Sequence, residues 1–96
     1  LLYRDILYIL KDGKYAVFHM RNRDTASVRK TLSQVSEEIG QEYFYFVDRG
    51  CIINLANVTG MDEADVIMSD GQHVTVSKGS VAEFKSTLLR FWERQI

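Results

Sequence analysis

Proline is absent from the 96 residues, and cysteine occurs once. A single thiol permits no internal disulfide, and no apolar run is long enough for a signal sequence or a membrane span. The expectation is therefore a cytoplasmic protein with no membrane partner. An excess of one charge is lacking too, since 12 Lys and Arg against 13 Asp and Glu leave a net charge of −1. Free-standing nucleic-acid binders often carry a basic excess that attracts phosphate. Binding DNA with this composition requires the cations to gather on one face while Glu37, Glu38, Glu42, Asp62, Glu63 and Asp65 lie elsewhere. Raw material for catalysis is equally sparse. Cys51 begins an apolar segment, where a thiol is usually an inert small hydrophobe, and His19 and His73 stand on separate predicted strands without a ligand-pair spacing. Gly13 and Gly71 belong to hairpin signals rather than to a glycine-rich phosphate loop. The chain is read as non-enzymatic, with no cofactor and no metal.

What the sequence does contain is a core. At 46% hydrophobic and 26% charged, residues 1–96 suit one compact domain and leave no room for a second. Its organising stretch is Tyr-Phe-Tyr-Phe-Val-Asp-Arg-Gly-Cys-Ile-Ile-Asn-Leu over residues 43–55. Segments 43–47 and 51–55 are short, aromatic or β-branched, and free of proline, so each reads as a strand buried on at least one face. The polar break Asp48-Arg49-Gly50 between them is where function is sought, because packed strands remove the freedom of a turn before a ligand arrives.

Around this stretch the pattern is one of hairpins. Residues 6–10 form an apolar run ended by Lys11-Asp12-Gly13, and Asp-Gly supplies the backbone angles of a tight turn. In the next strand Ala16, Phe18 and Met20 share one face by period two. Residues 21–24 make a polar turn, and 25–28 pair back as a short strand. Val28, Leu32, Val35 and Ile39 then recur at helical spacing, with Gly40 as the stop. Strands are predicted over 57–61 and 64–68, and Ser69-Asp70-Gly71-Gln72 closes a further hairpin completed by 73–76. Ser80 and Glu83 have capping-box spacing at the start of a last helix. On that helix Val81, Phe84, Leu88 and Phe91 form a stripe that Leu89, Trp92 and Ile96 widen. The fold class is thus mainly β, antiparallel strands and hairpins in small packed sheets with two flanking helices.

The organising stretch resembles the LytTR DNA-binding domains of bacterial response regulators, which carry roughly Phe-Phe-Arg-x-His-Arg-Ser-Tyr-Ile-Val-Asn-Leu there. Phe44, Tyr45, Arg49, Ile52, Ile53, Asn54 and Leu55 fit that pattern. Phe46, Asp48 and Gly50 depart from it, standing where the family usually has Arg, His and Ser. Residues 5–9 are similar to the family's entry strand, and 74–78 to its late strand. The resemblance implies a domain that binds promoter DNA by inserting loops at strand ends into successive major grooves. It further implies paired sites occupied by a homodimer or in tandem, and a receiver or sensor domain N-terminal to this chain.

Carried onto this sequence, the resemblance makes Lys14, Arg49 and Lys78 the residues that reach DNA. A guanidinium at Arg49 can grip a guanine edge or a phosphate with two parallel bonds. Its bland alternative is a surface arginine paired with Asp48 or Asp70, and Lys14 and Lys78 are equally read as solvated lysines at strand ends. Asp48 either repels phosphate or aims Arg49, and Gly50 beside it is read as a turn held less tightly than serine would hold it. Arg21, Arg23 and Lys11 are weaker candidates for phosphate contact. Asn54 is expected to brace the loop through backbone hydrogen bonds. The competing function is the same fold with a degenerate DNA surface, serving as a protein-protein interaction domain.

Overall fold

A computed structural model describes residues 3–40 and 42–95. Its strands are β1 (Ile6–Asp12), β2 (Tyr15–Met20), β3 (Thr25–Val28), β4 (Phe44–Asp48), β5 (Cys51–Asn54), β6 (Val58–Asp62), β7 (Asp65–Met68) and β8 (His73–Thr75). Helix α1 (Leu32–Ile39) lies between β3 and β4, and α2 (Val81–Arg94) closes the chain. Single 3-10 turns occupy Tyr3–Asp5, Leu55–Asn57 and Lys78–Ser80. The strands form a five-stranded sheet in the order β3-β2-β1-β5-β4 and a three-stranded sheet in the order β6-β7-β8, with every pairing antiparallel.

The large sheet is apolar on both faces, and each face has its own cover. One carries Ile6, Ile9, Ala16, Phe18, Met20, Phe44 and Ile52, onto which α1 sets Leu32 and Val35. The other carries Leu7, Tyr8, Val47, Cys51 and Ile53, covered by Val66 and Met68 of the small sheet and by Phe84, Leu88 and Phe91 of α2. This is why residues 6–9 are a continuous apolar run rather than an alternating one. A register shift between Ile6 and Tyr8 in the β1–β2 pairing lets Leu7 and Tyr8 face the same core. Two buried asparagines fix how the chain enters this arrangement. Asn54 Nδ2 donates to the carbonyls of Tyr3 (3.1 Å) and Ile6 (2.8 Å), and Asn57 Nδ2 donates to those of Arg4 (2.7 Å) and Ile6 (2.9 Å).

Several local expectations are corrected. Helix α1 starts at Leu32, not at Val28, because Thr31 and Gln34 form a reciprocal capping box there while Val28 stays in β3 and pairs with Ala16. The Ser80 box does not form: residues Lys78–Ser80 are already helical, the Ser80 backbone is αR, and its hydroxyl accepts from Ser77 Oγ at 3.1 Å. Of the residues expected to widen the α2 stripe, Leu89 is 56% and Trp92 36% exposed, whereas Ile96 lies outside the described residues. Asn57 belongs to a 3-10 turn rather than to β6, and Ala64 to the β6–β7 turn rather than to β7.

Candidate nucleic-acid interface

The non-local pairing of β1 with β5 does what sequence spacing cannot. It sets the β1–β2 turn beside the β4–β5 turn at one end of the large sheet, where the Lys11 N–H donates to the Gly50 carbonyl at 2.9 Å. Gly13 and Lys14 form the first turn, with Gly13 at φ 61°, so Lys14 lies on the turn itself, just before the strand end at which the sequence reading set it. In the second turn Asp48 pairs with Cys51, leaving Arg49 and Gly50 as its two central residues. The Asp48 carboxylate accepts from the Gly50 N–H at 2.8 Å, so this turn is held by Asp48 and is not loosened by glycine.

The N-terminus of α1 completes the geometry. Lys11, Lys14, Lys30 and Arg49 line one concavity of about 190 Å³, with Gly13, Phe46, the N-cap Thr31 and the first α1 residues Leu32 and Ser33 forming the rest of its wall. No acidic residue is among its lining residues. Arg49 forms neither of the ion pairs that the bland reading supplied. Asp48 bonds the turn backbone, and Asp70 binds the Gln72 side chain and backbone N–H. Among the described residues Arg49 has no ion-pair partner, and the residue is exposed. Lys30 is paired with Glu38 across α1, at 2.6 and 2.8 Å to the two carboxylate oxygens, with both side chains about half exposed.

The other candidates do not join this cluster. Arg21 and Arg23 sit on the β2–β3 turn, at the far end of the six-residue β2 and so about 20 Å away along the strand. There Arg23 adopts a positive φ of 70° and its guanidinium reaches the Asp70 carbonyl at 3.5 Å. Lys78 is exposed on the 3-10 turn before α2 and is not among the residues lining the concavity. Asn54 braces backbone, as expected, but at the opposite end of β5 from Arg49. It holds the entry segment and accepts from the Ala56 N–H at 3.1 Å. Lys30 was not singled out from sequence. The available signal was its place immediately before Thr31, whose Thr-x-x-Gln spacing marks a helix start.

Elsewhere the titratable groups are structural. Burial, with a lesser push from Asp48, drives the Cys51 thiol up to about 12, so it stays protonated as a core side chain. His19 stacks on Tyr8 with ring centroids 4.5 Å apart, and burial lowers its pKa. Hydrogen bonds from Thr75 and His73 hold the Asp65 carboxyl below its ordinary range. Among the described residues no three His, Cys, Asp or Glu side chains are grouped to hold a metal ion. No described helix is long and apolar enough to cross a membrane.

Comparison with known proteins gives this end of the sheet a context. A search of curated proteins returned no match. Among solved structures, the chain is similar to the LytTr DNA-binding domain of a Bacillus cereus protein described as a methyl-accepting/DNA response regulator. That match has a TM-score of 0.75 at 18% identity and covers 93% of this chain and 84% of the other, which establishes a shared fold. Residues 1–89 match the sequence description of the LytTr DNA-binding domain. With nearly the whole length matched and the mainly antiparallel β architecture in agreement, the chain belongs to the LytTR family of DNA-binding domains.

Proposed function

We propose that this domain binds duplex DNA sequence-specifically at promoters, as the output domain of a bacterial two-component response regulator. The observation that carries the reading is the gathering of Lys11, Lys14, Lys30 and Arg49 around one concavity at a sheet end, in a chain whose net charge is −1. Lys11, Lys14 and Arg49, none of which is ion-paired among the described residues, supply the phosphate attraction that the composition lacks, and Lys30, shared with Glu38, adds to it. In this reading Arg49, presented on a two-residue turn and not ion-paired to a carboxylate, reads a base edge. Lys14 and Lys30 grip phosphate beside it, and Lys78 contacts the backbone at a separate point. Arg21 and Arg23, about 20 Å from the cluster, take no part in that contact. The mechanism is binding, not chemistry.

A domain of this size gains a large enough interface by occupying paired half-sites, as a homodimer or in tandem, under a receiver or sensor domain elsewhere in a longer cytoplasmic regulator. Selection of bound sequences from random duplex DNA at low salt tests the reading, followed by a salt titration on the enriched duplex. Three to five neutralised phosphates give a slope of log affinity against log salt of about −3 to −4.5. No enrichment at low salt, or a slope near zero, rules it out.

The second reading is a LytTR fold whose DNA surface has decayed and which binds protein. It is favoured by the apolar face of α2, where Leu89 and Trp92 stand exposed beside Met61. Failure of the selection together with self-association or partner capture lost on Trp92→Ala would support it.

A further inference from the structure

We infer that Phe46 is a specificity-determining residue that contacts the 5-methyl group of a thymine in the bound duplex; this rests on the DNA reading above. Phe46 shares the α1-side face of β4 with Phe44, two residues away. Phe44 is 6% exposed beneath α1, whereas Phe46 is 38% exposed although its cross-strand partner Ile52 is buried. The difference has a simple origin. Helix α1 begins at Leu32, so its first turn forms one wall of the concavity rather than a roof over Phe46, and the ring stays open to solvent. An apolar ring on a strand next to the turn that displays Arg49, within a concavity that also holds four cations, gains nothing from water and nothing from phosphate.

Duplex DNA offers few features that such a ring could match. Every base presents a hydrogen-bonding atom to the major groove, and thymine alone adds a methyl group, which is contacted by side chains such as Ala, Thr and Phe. Cations around the ring fix the backbone and carry no sequence information, while Arg49 suits guanine. A ring held next to that guanidinium therefore adds a second, chemically different reading head. The recognised element becomes a guanine with a thymine within a step or two of it.

The test uses the chain itself and the duplex most enriched from random DNA. Each thymine of that duplex is exchanged singly for deoxyuridine, which removes only the methyl group. One position is expected to lose about fourfold in affinity, the worth of one buried methyl, while the other exchanges are neutral. In Phe46→Ala and in Phe46→Gln the same exchange should cost nothing, because the partner of the methyl has gone. Deoxyuridine exchanges that are neutral throughout, a loss that is undiminished in both variants, or an enriched site without thymine overturns the inference and leaves the DNA reading standing. Absence of any enriched duplex removes that reading and this inference with it.

Discussion

Substitution of Asp48 separates two effects of one carboxylate, its charge and its hold on the turn. Oδ1 accepts from the Gly50 N–H at 2.8 Å and so fixes the two residues that display Arg49. Asp48→Asn keeps an acceptor in the same place and removes the charge. An acid about 7 Å from a phosphate in water costs about 0.6 kcal/mol, so Asn should tighten binding to every duplex about threefold at low salt, with the gain shrinking as salt rises. Asp48→His removes the acceptor as well as the charge. Losing a hydrogen bond of this kind costs about 0.5 to 1.5 kcal/mol of turn order, released around a glycine that has many alternatives. Histidine also brings a donor for phosphate, so it should gain on scrambled DNA while losing preference for the selected site. Fluorescence anisotropy on selected and scrambled duplexes at low salt reads both effects. Identical behaviour of the two variants on both duplexes would mean that the Gly50 bond does not position Arg49, and weaker binding by Asn would refute the charge argument. Treating Asp48 only as a lost family contact leads instead to tighter binding everywhere for His; the turn hydrogen bond is what changes that expectation.

Arg49→Ala should relax base preference and cost about 1 to 3 kcal/mol, whereas Lys78→Ala should weaken all sequences alike and reduce the salt slope by about one unit. Equal, sequence-independent losses in the two titrations would demote Arg49 to a backbone contact. Asn54→Ala and Asn57→Ala should each cost about 1 to 3 kcal/mol in urea unfolding. Because both side chains donate to the Ile6 carbonyl, the double variant should exceed the sum by about 1 kcal/mol, and simple additivity would contradict the shared acceptor. Cys51, with its thiol pushed up to about 12, should resist a thiol reagent at pH 8 until the chain unfolds, and rapid labelling of the folded protein would refute its burial. His19 has its pKa lowered by burial, so as pH falls through the ordinary value of 6.5 the unfolded chain takes up the proton first and stability declines. His19→Phe, which keeps the stack on Tyr8, should flatten that decline in pH-dependent melts.

The hairpins were legible because their signals are local. Asp12-Gly13 and Asp70-Gly71 lie at tight turns, and both glycines adopt the positive φ that such turns favour. The two helices were legible as stripes, and the start of α2 at Val81 was legible as well, but the start of α1 was not. Thr31 and Gln34 offered the same box spacing as Ser80 and Glu83, and only tertiary context decides between them. The Val28 side chain happens to continue the α1 periodicity while β2 claims its backbone, and the 3-10 turn at Lys78–Ser80 takes the Ser80 backbone into the helix before its side chain can cap it. For the site, sequence could nominate Arg49 and Lys14 but could not join them. Their proximity depends on β1 pairing with β5 some forty residues later, and that pairing is also what separates them from Arg21 and Arg23. Lys30 enters through the packing of α1 on the sheet, a contact with no local signature.

Net charge carries little weight against the proposed DNA reading, for a reason that can be stated in lengths. Screening at physiological salt falls off over about 8 Å, so a phosphate at the concavity responds to the charges beside it and hardly to the sum over a molecule whose longest extent is 33 Å. Beside it are Lys11, Lys14, Lys30 and Arg49, with Asp12 and Asp48 next to the turn residues and Glu38 paired to Lys30. The last strand leads to Lys78 from a different setting. The Val76 N–H, two residues before it, donates to the Ala64 carbonyl of the turn that also carries Glu63 and Asp65. The two contact points are therefore unequal, since Arg49 shares its concavity with Lys11, Lys14 and Lys30 whereas Lys78 is not among the residues lining it. The concavity should set the affinity and its salt dependence, while Lys78 acts mainly by fixing the orientation of the domain on the duplex.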